Sequence, residues 1–104
     1  MNRVVLTARI VALSAQRTTP AGIPANDLIL EHDSEQAEAG QMRKVQLTVK
    51  AVVIGVVAET LRKHPLGSQH QFNGFLSNTR NGKGQLLHIQ SFESLDFSNQ
   101  PHLI

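Results

Sequence analysis

Two cations set among glycines, Arg80-Asn81-Gly82-Lys83-Gly84, precede an apolar run that begins at Leu86. A guanidinium grips a phosphate through parallel hydrogen bonds and an ammonium adds a point charge, so a glycine-loosened loop carrying both suits a polyanion. The same residues also suit a plain hairpin turn, with Asn81-Gly82 in a type I′ geometry and the cations merely solvated. The surrounding elements have to decide between the two.

Other chemistry has little footing. Gly82-Lys83-Gly84 lacks the G-x-x-x-x-G-K-[ST] frame that cradles nucleotide phosphates. Glu31, His32 and Ser34 are hydrolytic residue types, but their close spacing describes the end of a strand and not a triad assembled by a fold. His64 and His70 are six apart, and His32, His88 and His102 are scattered, so no pair has metal-ligand spacing. His32 and His88 read as partly buried, hydrogen-bonded strand residues. No catalytic residue, metal or cofactor is expected.

The net charge is only +2, yet its distribution is uneven. Asp27, Glu31, Asp33, Glu35 and Glu38 crowd one window, whereas the chain from Arg43 to Phe92 carries many Lys and Arg and the single acid Glu59. That asymmetry predicts a basic face, which attracts phosphate backbones or an acidic partner. At 104 residues the chain fits one domain over 1–104, with an ordered core at about 3–95 and a frayed tail at 96–104. No apolar run approaches the ~20 residues that span a bilayer, so no membrane association is expected. Arg9 and Thr7 interrupt the apolar N-terminus, which reads as a strand and not as a signal peptide. The absence of cysteine suits a reducing compartment.

Most of the chain reads as strands. Val4, Leu6, Ala8, Ile10 and Ala12 alternate with Arg3, Thr7 and Arg9, while Val5, Val11 and Leu13 make the strand apolar on both faces in places. Thr18 to Pro24 breaks regularity through two prolines and Gly22, forming a shaped loop. Leu28 to His32 resumes an extended run. Asp33 to Gly40, polar and acidic, reads as a second connection, either a loop or a short helical turn. From Met42 to Val53 the alternation is clean, with Val45, Leu47, Val49, Ala51 and Val53 on a core face. Lys44, Gln46, Thr48 and Lys50 then face water or a ligand. Between Gly55 and Leu66 the period changes: Val57 and Leu61 lie four apart and Pro65 closes a short helix. Gly67 to Ser77 and Leu86 to Leu95 are the last strands. Phe72 and Phe75 must face opposite sides, Phe72 in the core and Phe75 as a stacking or interface residue. Phe92 and Phe97 read as packing or dimer contacts.

Five strands with a short helix between the third and fourth is the order of an all-β OB-fold barrel, and Gly74 supplies a bend for closure. Such barrels bind oligonucleotides on the face of strands 2 and 3 and through the loops joining strands 1 to 2 and 4 to 5. Here those loops are Gln16 to Pro24, containing Arg17, and Asn78 to Gln85, containing Arg80 and Lys83. Cold-shock-like RNA barrels depend on aromatic stacking, which is scarce in a chain with 4% aromatic residues.

The motifs TPAGIP, LEHDSEQAEAGQMRK and NGFLSNTRNGKGQLLHIQ closely resemble the primosomal replication protein N (PriB) family of bacteria, from about Val4 to Glu93. Ala58-Glu59, Leu61 and Gly67-Ser68 to Gly74 are similar to the wider single-stranded DNA-binding protein family. The resemblance implies a cytoplasmic OB-fold homodimer that binds single-stranded DNA in replication restart alongside the PriA helicase and, in some bacteria, DnaT. It implies DNA contacts at Arg17, Arg43, Arg80 and Lys83, to which the outward face of the third strand adds Lys44, Gln46 and Lys50. Where PriB proteins carry aromatics on and before that strand, this chain has Gln41 and Gln46, and it has Asp33 where a cation can follow the LEH motif. Base stacking is worth roughly 1 to 3 kcal/mol per base, so the expected binding is weak and salt-dependent. A protein-interaction adaptor with incidental nucleic-acid binding is the alternative.

Overall fold

The computed structural model describes residues 1–95; the expected frayed tail, with Phe97 and His102, lies outside the described residues. The elements run β1 (Val4–Leu13), β2 (Arg17–Thr18), β3 (Pro24–Glu38), β4 (Gln41–Ile54), α1 (Val56–Leu61), β5 (Gln69–Asn78) and β6 (Gln85–Ser94). Hydrogen-bonded neighbours follow the order β1-β5-β6-β4-β3, and a further β1–β3 pairing closes the sheet into a five-stranded barrel. β4 and β6 run parallel and the other pairs antiparallel. The expected OB-fold barrel is present, with its helix between the third and fourth long strands. The two-residue β2 is an addition, pairing Arg17 with Ala25 and Thr18 with Pro24 across a turn at Gly22.

Closure depends on bends. Between Asn73 and Gly74 the β5–β6 register shifts, and a Cβ at Gly74 would lie 1.8 Å from the His88 carbonyl oxygen. Only glycine allows that approach. A second shift, between Ile10 and Ala12 of β1, inverts the alternation beyond it, so Leu13 packs on the core and Ala12 is exposed, contrary to the simple reading of that strand.

Ile10, Leu28, Leu30, Val53, Phe72 and Leu87 fill the barrel, and Leu61 of α1 plugs one end of it. Each such side chain contributes roughly 1.5 to 3 kcal/mol by leaving water. Beneath the helix, His64, His70, Phe72 and Phe92 pack edge to face, with ring centroids 4.8 to 5.6 Å apart for the His64–His70, His64–Phe92, His70–Phe92 and His70–Phe72 contacts. The buried Asn26 is satisfied from two sides: its amide donates to the Ser14 carbonyl at 3.0 Å, and its Oδ1 accepts from Arg62 at 2.8 Å.

The largest departure from expectation is Asp33 to Gly40. It is neither loop nor helical turn: β3 continues to Glu38, and Ala39-Gly40, with φ of 53° and 78°, makes a two-residue turn into β4. Both central residues at positive φ match the twist of a hairpin. The acids are tolerated in a strand because Glu35 sits opposite Lys44, and Glu38 is ion-paired with Arg43. The resulting ribbon runs beyond the barrel, so Val45 and Leu47 keep the inward parity of Val49 without reaching the core; Leu47 is 45% exposed.

Candidate nucleic-acid interface

The loop between β5 and β6 is wound around two side chains. The Thr79 amide donates to the Gly84 carbonyl at 2.9 Å, and Gly82 N–H closes a turn onto the Thr79 carbonyl at 2.8 Å. The Thr79 hydroxyl donates to Asn81 Oδ1 at 2.8 Å, which also accepts the Lys83 amide at 3.0 Å. Gly82 has φ 73°, and Asn81 is not at positive φ, so the turn is not type I′. With the polar groups of Thr79 and Asn81 occupied within the turn, Arg80 and Lys83 are held at its exposed rim.

That rim borders a groove at the open end of the barrel. Its floor is apolar, from Val4, Leu6, Leu47, Val49 and Leu76, and Thr48, Lys50, Arg80 and Lys83 stand along it. Of the seven residues expected to contact DNA, the fold therefore gathers Lys50, Arg80 and Lys83 around one groove. The other four are arranged by the β3–β4 register.

Lys50, Gln46 and Lys44 lie opposite Ile29, Asp33 and Glu35 on the outward side of β3–β4, whereas Arg43 lies opposite Gln36 on the inward side. Arg43 Nε is 2.6 Å from Glu38 Oε1. Arg17, near the other end of β4 through the Ala25–Ile54 pairing, forks onto Asp27 at 2.8 and 3.0 Å. On the outward face, Arg9 bridges Asp33 at 2.8 Å and Glu31 at 3.3 Å. Hydrogen bonding from Arg9, aided by Gln46, holds the Asp33 carboxyl below its ordinary value, and Arg17 does the same for Asp27.

The acidic window and the cations of β4 are thus neighbours in one ribbon, so acids interrupt the expected basic face, and Lys50 and the β5–β6 loop supply the cations gathered at the groove. Composition could not show this, because the pairing depends on register. Arg9 had no signal as a charge partner for the same reason. His32 and His88 are hydrogen-bonded as expected: His32 joins the Thr7 carbonyl at 2.6 Å and the Ser34 hydroxyl at 2.7 Å, and His88 joins the Ser77 hydroxyl at 2.8 Å. Phe72 is fully buried and Phe75 faces the outside, where it stacks on His88.

Residues 2–91 match the family described as "Another single-strand binding protein family". Replication restart protein PriB of Bordetella pertussis is 45% identical over 91 residues, covering 86% of this chain and 85% of that protein. PriB of Photorhabdus laumondii is 33% identical over 99 residues, covering 91% and 94%. The solved structure of PriB from Ralstonia solanacearum superposes with a TM-score of 0.83 at 30% identity, over 91% of this chain and 98% of that one. The single-stranded DNA binding protein from Thermus aquaticus shares the fold, with a TM-score of 0.71 at 23% identity over 91% of this chain and 50% of that one.

Proposed function

The chain belongs to the single-strand binding protein family, among the replication restart proteins named PriB, and from that premise we propose that it binds single-stranded DNA weakly and salt-dependently while assisting the PriA helicase in restart. One observation carries this reading: Lys50 of β4 converges with Arg80 and Lys83 of the distant β5–β6 loop on a single groove with an apolar floor. The cations take phosphates and the floor receives sugar and base edges. In this reading the protein is a cytoplasmic homodimer without catalytic activity, and DnaT is a further partner.

Arg17, Arg43, Lys44 and Gln46 act as secondary contacts, because Arg17 and Arg43 must first leave Asp27 and Glu38, while Gln46 and Lys44 lie opposite Asp33 and Glu35. That proximity to acids also favours a second reading, in which the ribbon serves protein contacts of the primosome and DNA binding is incidental. Fluorescence anisotropy of a labelled oligo(dT) at several salt concentrations separates the two. Under the first reading, Arg80→Ala/Lys83→Ala weakens binding and flattens the salt slope by about 0.7 for each phosphate no longer neutralised. Helicase capture unaffected by the double substitution, with no DNA binding by the wild type at low salt, would select the second.

A further inference from the structure

A second hollow lies on the outward side of the barrel, next to the Lys50 edge of the groove. Val52, Ile54 and Val57 form its base, Phe75 and His88 one wall, and Gln90 its rim. Phe75 and His88 oppose each other in the β5–β6 ladder and stack with ring centroids 4.7 Å apart and planes within 7°. The Ser77 hydroxyl, 2.8 Å from His88 Nε2, fixes the rotation of the imidazole. Val52 is only 2% exposed although its strand parity points it outward. An aromatic pair over an apolar base is therefore built into the outer surface.

We propose that this hollow is a nucleobase slot, in which one base of single-stranded DNA packs against the Phe75–His88 pair, Ile54 and Val57, with its edge at the Gln90 amide. The proposal rests on the DNA-binding reading above and says where stacking energy enters it. Register supplies the supporting argument. Val52 pairs with His88 in the parallel β4–β6 ladder, and Lys50 lies two residues back on the same face, about 7 Å away at ~3.3 Å per residue. In the other direction Ile54 pairs with Ala25, which pairs with Arg17.

Lys50 thus flanks the slot at a spacing a nucleotide backbone can follow, while Arg17 on the other side is occupied by Asp27. A stacked ring accepts any base, because every base presents a π face. A carboxamide carries both donors and an acceptor, so Gln90 can meet any base edge. The slot supplies the aromatic contact that Gln46, on the same face of β4, does not.

The chain contains no tryptophan, so Phe75→Trp places a single reporter in the slot. Titration with oligo(dT), following anisotropy and tryptophan emission together, is expected to show emission changing in step with binding. Phe75→Leu and His88→Ala, each checked for the native circular dichroism spectrum, are expected to weaken binding about 5- to 150-fold with the salt slope unchanged. Saturable binding with constant tryptophan emission, or wild-type affinity in the Leu variant, would overturn the slot and leave the groove standing. No binding by the wild type at low salt would overturn both. Loss of helicase capture by Phe75→Leu with DNA affinity intact would assign the hollow to a protein partner instead.

Discussion

Arg17 and Asp27 meet as a fork, Nε to Oδ2 at 2.8 Å and Nη2 to Oδ1 at 3.0 Å, with both side chains 48% exposed. The pair joins β2 to β3, so it stiffens the hairpin that carries the first loop, and it holds the cation away from any phosphate. Hydrogen bonding from Arg17 puts the Asp27 carboxyl below its ordinary value of 3.8 in the folded protein. A depressed carboxylate contributes stability that is present above 3.8 and is lost as the pH falls through the folded value.

Asp27→Asn is therefore expected to cost at most about 1 kcal/mol near neutrality, because an exposed pair is screened by solvent. Chemical denaturation as a function of pH should show a shallower acid decline for the variant than for the wild type. The same substitution releases Arg17, so oligo(dT) affinity should rise. Unchanged affinity would mean that Arg17 takes no part in binding.

Glu38 and Arg43 make the same kind of restraint at the ribbon, with Nε to Oε1 at 2.6 Å and about two-thirds of each side chain exposed. Glu38→Gln should free the guanidinium and steepen the salt dependence of oligo(dT) binding by about 0.7, the increment for one further phosphate neutralised. Arg43→Ala in the wild-type background should leave the slope nearly unchanged, since the pair already occupies that cation. A large drop in affinity on Arg43→Ala would show that DNA displaces Glu38.

Much of the fold can be read from local pattern: Phe72 inward, Leu61 closing the barrel from a short helix, and Gly74 at a bend all follow from periodicity and turn chemistry. Asp33 to Gly40 is harder, because acidic residues oppose strand formation until Lys44 stands across from Glu35 and Arg43 pairs with Glu38. Ala12 and Leu13 exchange sides through a bulge that no alternation rule contains. The site is legible as a set of residue types and not as a set of free charges. Arg17 and Arg43 read as available cations, yet Asp27 and Glu38 reach them only once the hairpins have formed.

Gly74→Ala tests closure. A Cβ at this position would sit 1.8 Å from the His88 carbonyl oxygen and 2.8 Å from its carbon, and both belong to backbone that cannot swing aside. Strand β6 must move, at a cost of about 3 kcal/mol or more. The β5–β6 loop rides on that pairing, so DNA affinity should fall together with stability in the denaturation midpoint. An alanine variant with wild-type stability would mean that the barrel seam opens without penalty.

Ala39 is the only non-glycine residue at positive φ among the described residues, with φ 53°, and it occupies the first turn position between Glu38 and Gln41. An L side chain in the left-handed region costs roughly 1 to 2 kcal/mol, and asparagine tolerates it better than alanine because its side chain can bond to nearby backbone. Asn-Gly is also the preferred pair for a two-residue type I′ turn. Ala39→Asn is therefore expected to stabilise the protein by about 0.5 to 1 kcal/mol in urea denaturation, a scale set by the relief of that strain. Because the ribbon carries Arg43 and Lys44, a firmer turn should change their contribution to DNA binding without altering Lys50 or the β5–β6 loop. Hydrogen exchange confined to residues 33–46 would separate a local gain from a global one. Slower exchange there, with the barrel amides unchanged, is the expected result, and faster exchange would show that the turn geometry does not limit the ribbon.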